Sequence, residues 1–274
     1  MVVVMALAGL LQALGSRVIN FRVVSGYMLT EGSVNGIAGF FLIDTGTPFL
    51  FFINNHYVPL PGKRVLQQGQ AASGETFTMC LADSLDVEVN GLGSFANQKN
   101  VVNAGFKFLE DAVCGQFLGF LGYKAFEDNV FSIDYDAGRI TIYDKGENPM
   151  VDLQHYTPVA TIRFTVNDAA PQLPLTDCKI GEYPLQAFFD TGTMGQLKLT
   201  AALKERLIAE GLLMLEGRMG TVRALDLAGA KPKPLGEQDC TDDSTDQIGL
   251  GYAFLSQYLT VWNYREKTIE LWQR

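Results

Sequence analysis

Histidine, tryptophan and cysteine are scarce in this chain of 274 residues, with two, two and four copies. Cys80, Cys114, Cys178 and Cys240 form no Cys-x-x-Cys pair, and only His56 and His155 stand beside them. A zinc site would need an unusual set of distant ligands, so no metal is expected. An even cysteine count permits two disulfides. Cys80–Cys114 and Cys178–Cys240 would keep each bridge inside one half of the chain; four buried thiols are the alternative. A serine or cysteine triad has no motif support around either histidine, and Cys114-Gly115 is not a papain-like or caspase-like context. Runs of like charge are missing too. Lys and Arg total 21 against 30 for Asp and Glu, a net charge of −9, which argues against a nucleic-acid or anionic-membrane partner.

Long apolar runs are also absent. Val2 to Leu14 is apolar apart from Gln12 and is too short to span a bilayer. Followed by Gly15 and Arg17 it suits the core of an export signal, although no Lys or Arg precedes it. Residues 1–16 are therefore read as a signal or apolar N-terminal segment. A periplasmic or secreted protein follows from the first reading, a cytoplasmic one from a buried first segment. At 47% hydrophobic, 19% charged and only 10 prolines, the remainder is globular and large enough for a core without metal or disulfide.

What the chain does have is an internal repeat. Phe41-Leu42-Ile43-Asp44-Thr45-Gly46-Thr47 returns as Ala187-Phe188-Phe189-Asp190-Thr191-Gly192-Thr193. A given tetrapeptide arises by chance at about 10⁻⁵ per position. Leu121-Gly122-Tyr123 likewise returns as Leu250-Gly251-Tyr252, and in the same frame Asp134-Tyr135 matches Asn263-Tyr264. The motif offset is 146 and the second offset 129, so the first half carries 17 extra residues between its two motifs. This implies two lobes, residues 17–144 and 155–274, joined by a polar linker at 145–154.

Each lobe reads as mainly β. Ile19, Phe21 and Val23 alternate with polar neighbours, as do Ile162, Phe164 and Val166. Phe131–Tyr135 and Arg139–Tyr143 flank a tight turn, and Trp262–Tyr264 with Thr268–Trp272 repeat that hairpin. The clearest helix spans Ala201 to Glu210, capped by Thr200, stopped at Gly211, with Leu203, Leu207 and Ile208 on its inner face. Phe49-Leu50-Phe51-Phe52 reads as core or as the wall of a cleft.

Both aspartates end an apolar strand, where a carboxylate is costly unless donors surround it. Glycine lets backbone N–H groups approach, and threonine adds a hydroxyl. A single Asp-Thr-Gly is most often a structural Asx-turn. Two copies in a two-fold arrangement would bring Asp44 and Asp190 face to face, sharing one proton. The ionised member can take a proton from water while the protonated one polarises a carbonyl, which hydrolyses an amide without metal or covalent intermediate.

On these residues the chain resembles an aspartic protease of the pepsin and retropepsin type. Its hydrophobic-hydrophobic-Asp-Thr-Gly-Thr motifs are Leu42–Thr47 and Phe188–Thr193, each followed by a hydrophobic-hydrophobic-Gly segment, Phe120-Leu121-Gly122 and Gly249-Leu250-Gly251. The second departs, with glycine in its first place. The resemblance implies two pseudo-symmetric acid-protease β-barrel lobes with a cleft between them, compact and retropepsin-like. It makes Asp44 and Asp190 the catalytic pair of an endopeptidase and gives Thr45 and Thr191 a reciprocal grip between the lobes. Backbone donors come from Gly46 and Gly192, and the hydroxyls of Thr47 and Thr193 bond the outer carboxylate oxygens. The implied partner is a polypeptide substrate, with no cofactor, in a monomer acting as an intrachain pseudo-dimer. A catalytically silent peptide-binding relative is the alternative.

Such proteases close the cleft with a hairpin flap. One candidate is Val65 to Thr78, with its tip at Ala72, Ser73 and Gly74; the other is Leu215 to Val222, including Met219 and Gly220. Backbone groups at such a tip bind an extended peptide as an added strand. Neither segment offers a tyrosine matching that of the pepsin flap.

Overall fold

The computed structural model describes residues 16–60, 64–70, 74–144, 149 and 153–273. The apolar segment 1–15, most of the linker and the candidate tip residues Ala72 and Ser73 lie outside the described residues. The protein is mainly β, in three sheets.

The first sheet runs Arg22–Val24, Tyr27–Val34, Ile37–Asp44, Phe117–Gly122, Phe51–Asn54, Gly93–Ala104, Thr76–Val89, Arg64–Gln70. The second runs Thr165–Asn167, Ala170–Ile180, Tyr183–Phe189, Gln247–Leu250, Gln196–Leu199, Leu235–Asp242, Met219–Val222, Leu213–Glu216. Place for place, the pairings agree. Ile37–Asp44 is parallel to Phe117–Gly122 as Tyr183–Phe189 is to Gln247–Leu250. Phe51–Asn54 is antiparallel to one neighbour and parallel to the other, as is Gln196–Leu199.

The third sheet joins the halves. Its central pair, Val130–Asp134 and Leu259–Asn263, is antiparallel with Phe131 opposite Trp262. Each flank adds the hairpin partner and then an N-terminal strand, Arg17–Asn20 on one side and Thr157–Arg163 on the other. The alternating runs seen in the sequence are thus each two strands, shared between sheets and broken at a buried phenylalanine. Phe21 N–H donates to Gly138 C=O at 2.8 Å, and Phe164 N–H to Lys267 C=O at 3.0 Å. The repeat therefore includes the strand break itself.

Four tyrosines cross the junction. Tyr123 of the first half packs on Tyr264 of the second with ring centroids 4.9 Å apart, and Tyr135 on Tyr252 at 5.4 Å, both edge to face. Such pairs contribute about 0.5–1.5 kcal/mol each beyond the area they bury. Helix Ala201–Ala209 is capped by the Thr200 hydroxyl, which accepts from Leu203 N–H. It buries Leu203 and Leu207, but Ile208 is exposed, because nine residues against one sheet bury only a narrow stripe. All four cysteines are free thiols. Burial pushes the Cys178 thiol up to about 12 and Cys240 up to about 11, leaving both inert. Among the described residues no helix is long and apolar enough to cross a membrane, and no group of three or more His, Cys, Asp or Glu is placed to hold a metal ion.

Candidate active site

Asp44 is the last residue of strand Ile37–Asp44, and Asp190 follows directly on Tyr183–Phe189. Both strands are central and parallel-paired, with apolar side chains on either face, so each carboxylate is carried on rigid backbone. The loop after each aspartate is pinned from behind by the second repeat element. Tyr123 N–H donates to Thr47 C=O at 2.8 Å, and Tyr252 N–H to Thr193 C=O at 3.0 Å. The hydrophobic-hydrophobic-Gly segments thus fix the two turns.

The two turns also hold each other. Thr45 N–H donates to Thr191 Oγ1 at 2.9 Å, and Thr191 N–H donates to Thr45 Oγ1 at 3.1 Å. Thr191 Oγ1 in turn donates to the Ile43 carbonyl at 3.1 Å. Thr45 is 1% and Thr191 0% exposed, so no water can replace a lost partner here.

This grip sets the carboxyls of Asp44 and Asp190 facing each other within hydrogen-bond reach. Their surroundings differ. Asp44 Oδ1 accepts from Gly46 N–H at 2.8 Å and Thr47 N–H at 3.1 Å, and its Oδ2 accepts from the Thr47 hydroxyl at 2.7 Å. Asp190 Oδ1 accepts from Gly192 N–H at 2.8 Å. Among the described residues no hydrogen bond joins Thr193 to Asp190, unlike the symmetric pattern expected from the sequence. The Thr193 methyl sits by Gly251 as the Thr47 methyl sits by Gly122, so the asymmetry arises at the carboxyl rather than the threonine.

Burial raises the pKa of both groups, and the Thr47 hydroxyl and two amides partly offset this at Asp44. Asp190 lies well above the ordinary carboxylate range, first because it is buried and then because the Asp44 charge faces it. The two carboxyls therefore titrate as a pair that shares one proton, and the larger set of donors at Asp44 favours the charge there and the proton on Asp190.

That asymmetry has a thermodynamic consequence. Where the folded pKa lies above the unfolded one, the folded state keeps a proton that the unfolded chain has released. Stability is then full below the ordinary carboxylate value and is lost as pH rises through the elevated one. Asp190→Asn has no charge to desolvate, and its amide donates to Asp44 as the protonated carboxyl does. The variant is expected to melt above wild type at pH 7, by about 2–4 °C for every kcal/mol relieved, with the difference closing near pH 3. Thermal unfolding at the two pH values tests this, and a lower melting temperature at pH 7 contradicts it.

A cleft of about 680 Å³ opens over the pair. On the first-half side it is walled by Leu42, Phe52, Phe77, Phe106, Phe108 and Phe120. Phe52 belongs to the aromatic run noted in the sequence, while Phe51 is turned into the core. Buried Asn54 anchors this wall: its Oδ1 accepts from Phe106 N–H at 2.9 Å, and its Nδ2 donates to Glu110 Oε1 at 2.7 Å. It thereby ties down the short helix Lys107–Ala112, which presents Phe108 and Leu109 to the cleft. The role of Asn54 was not visible in the sequence, since nothing local marks its partners.

The second-half wall is mixed, setting Arg218, Glu237 and Asp239 beside Met194 and Met219. The Arg218 guanidinium pairs with both Asp239 oxygens. Gly220 faces away from the cleft, packed between Cys240, Leu213 and Leu215. Of the two flap candidates, the first is the longer hairpin, Arg64–Gln70 with Thr76–Val89, and it brings Phe77 to the cleft. Gly74 stands beside its tip at φ +101°. The second hairpin has only four residues per strand and turns at Gly217-Arg218.

Compared with known proteins, the chain matches no protein-family model and no curated protein sequence.

Proposed function

We propose that the protein is an aspartic endopeptidase, its halves two acid-protease lobes of retropepsin-like type related by a pseudo-two-fold axis. The observation that carries this reading is the facing Asp44–Asp190 pair held by the reciprocal Thr45–Thr191 grip at the floor of a cleft. A structural Asx-turn needs neither a facing carboxylate nor a cleft above it.

In this reading a water lies between the carboxyls. Asp44, ionised and held by three donors, takes a proton from the water as its oxygen attacks the scissile carbonyl carbon. Asp190, protonated, gives its proton to the carbonyl oxygen as the tetrahedral gem-diol forms. Collapse of that intermediate moves a proton to the leaving nitrogen and breaks the C–N bond. The longer hairpin of the first lobe is the flap, and the aromatic wall receives a large apolar side chain of the substrate.

Activity then requires Asp44 ionised and Asp190 protonated, giving a bell-shaped profile. Both limbs lie above their ordinary carboxylate positions because both groups are raised, and the alkaline limb moves furthest. Cleavage of casein from about pH 3 to 8, with and without a statine-type transition-state mimic, tests the reading. Inhibited cleavage with an alkaline limb well above the ordinary carboxylate range is expected. Mimic-resistant cleavage, or none by the folded protein at any pH, would overturn it.

A further inference from the structure

Tyr27 begins the strand antiparallel to the one that ends at Asp44. The register pairs Leu29 with Leu42. Two residues further along each strand stand Tyr27 and Asp44, which by the two-residue period of a strand lie on the same face as that leucine pair. Tyr27, Leu42, Asp44 and Asp190 accordingly all line the cleft.

The position of Tyr27 is fixed from two directions. It closes a two-residue hairpin, paired with Val24 across Ser25-Gly26, whose φ values of +49° and +81° suit a type I′ turn. The turn packs against the second half: Gly26 abuts the Met194 side chain so closely that a β-carbon would overlap its sulfur. Met194 is four residues beyond Asp190. The phenol is therefore held at the junction of the lobes, and its hydroxyl has no hydrogen-bond partner among the described residues. Two other polar groups of the cleft are committed elsewhere, the Thr47 hydroxyl to Asp44 and the Arg218 guanidinium to Asp239.

We propose that Tyr27 is a substrate-binding residue of this site, its O–H donating a hydrogen bond to a backbone carbonyl of the extended substrate next to the scissile bond. This rests on the endopeptidase reading. Burial, and then the charges of Asp44 and Asp190, raise the phenol's pKa, so it stays a neutral donor throughout the range in which the pair shares its proton. A carbonyl is the peptide group such a donor takes. Supplied from the rigid body of the lobe, the contact needs no tyrosine on the flap.

The test compares wild type, Tyr27→Phe and Tyr27→Leu in two readouts: kcat/KM on a fluorogenic peptide, and the affinity of a statine-type peptide measured by calorimetry. Tyr27→Phe keeps the ring and removes only the donor. It is expected to lower both quantities about 10-fold, the loss of one hydrogen bond to a buried site. Tyr27→Phe matching wild type while Tyr27→Leu falls would make Tyr27 an apolar wall and overturn the proposal alone. Wild type that binds the peptide without cleaving any substrate would overturn the catalytic reading. The Tyr27 contact would then stand if Tyr27→Phe weakened that binding, and fall if it did not. Wild type that neither binds nor cleaves would overturn both.

Discussion

Asp44→Asn and Asp190→Asn are each expected to lower kcat/KM by about 10²–10⁴-fold, the range spanned when general acid–base catalysis is removed from a preorganised site. The reasons differ between the two. An amide at position 44 cannot accept the proton of the attacking water, yet it can still accept the Gly46 and Thr47 N–H bonds, so the fold is kept while the base is lost. An amide at position 190 donates a hydrogen bond to Asp44 but cannot release a proton to a carbonyl oxygen. Because one proton is shared between the carboxyls, they act as a unit, and the double variant is expected to be no worse than the poorer single variant. A fluorogenic peptide assay on all three, with circular dichroism to establish folding, decides the matter. Residual activity above about 10% of wild type in either folded single variant would place the chemistry elsewhere.

Much of this site was legible in the sequence because its chemistry demands particular residue types at fixed spacing. A buried carboxylate at a strand end needs N–H donors that only a glycine turn brings close enough, so Asp-Thr-Gly-Thr is conspicuous wherever it stands. Its recurrence, with the later Leu-Gly-Tyr, pointed to two equivalent units. The order of strands in the first two sheets now repeats place for place. Strand alternation was legible too, but not its interruption. Phe21 and Phe164 continue the apolar pattern without a break, and only their N–H bonds to the opposing turns show that each run is shared between two sheets.

Features that depend on tertiary register were hidden. Tyr27 precedes Asp44 by 17 residues, and nothing local says that antiparallel pairing returns it to the same face. Asn54 organises the aromatic wall through Phe106 and Glu110, more than 50 residues away. The crossing of Tyr123 onto Tyr264 and of Tyr135 onto Tyr252 needs the two halves docked before it exists. The unequal surroundings of Asp44 and Asp190 were masked by identical motifs. Identical tetrapeptides bond differently here: the Asp44 carboxyl accepts three bonds from its own turn, and the Asp190 carboxyl accepts one.

The glycines of the two motifs yield the second large effect, and it is a crossed one. A β-carbon on Gly46 would stand 2.6 Å from Asp190 Oδ2, and one on Gly192 would meet the Asp44 carboxyl closer still. Each turn therefore reserves space for the carboxylate of the other half rather than for its own. Gly192→Ala is expected to displace Asp44, and Gly46→Ala to displace Asp190, since the Thr45–Thr191 bonds prevent the turns from drawing apart. A misplacement of about 1 Å in a reacting group lowers rate about 10²-fold, so each alanine is expected to reduce kcat/KM by at least that factor. The direction of the pH profile separates the two. Gly192→Ala crowds the acceptor and should shift chiefly the acid limb, where the pair first takes up its charge at Asp44. Gly46→Ala crowds the proton donor and should shift chiefly the alkaline limb, where the pair loses its shared proton from Asp190. Kinetics of both variants from about pH 3 to 8 test the assignment. A shift of the same limb in both would show that the proton is not lodged on Asp190, and full activity in either would show that the carboxyls do not meet across these glycines.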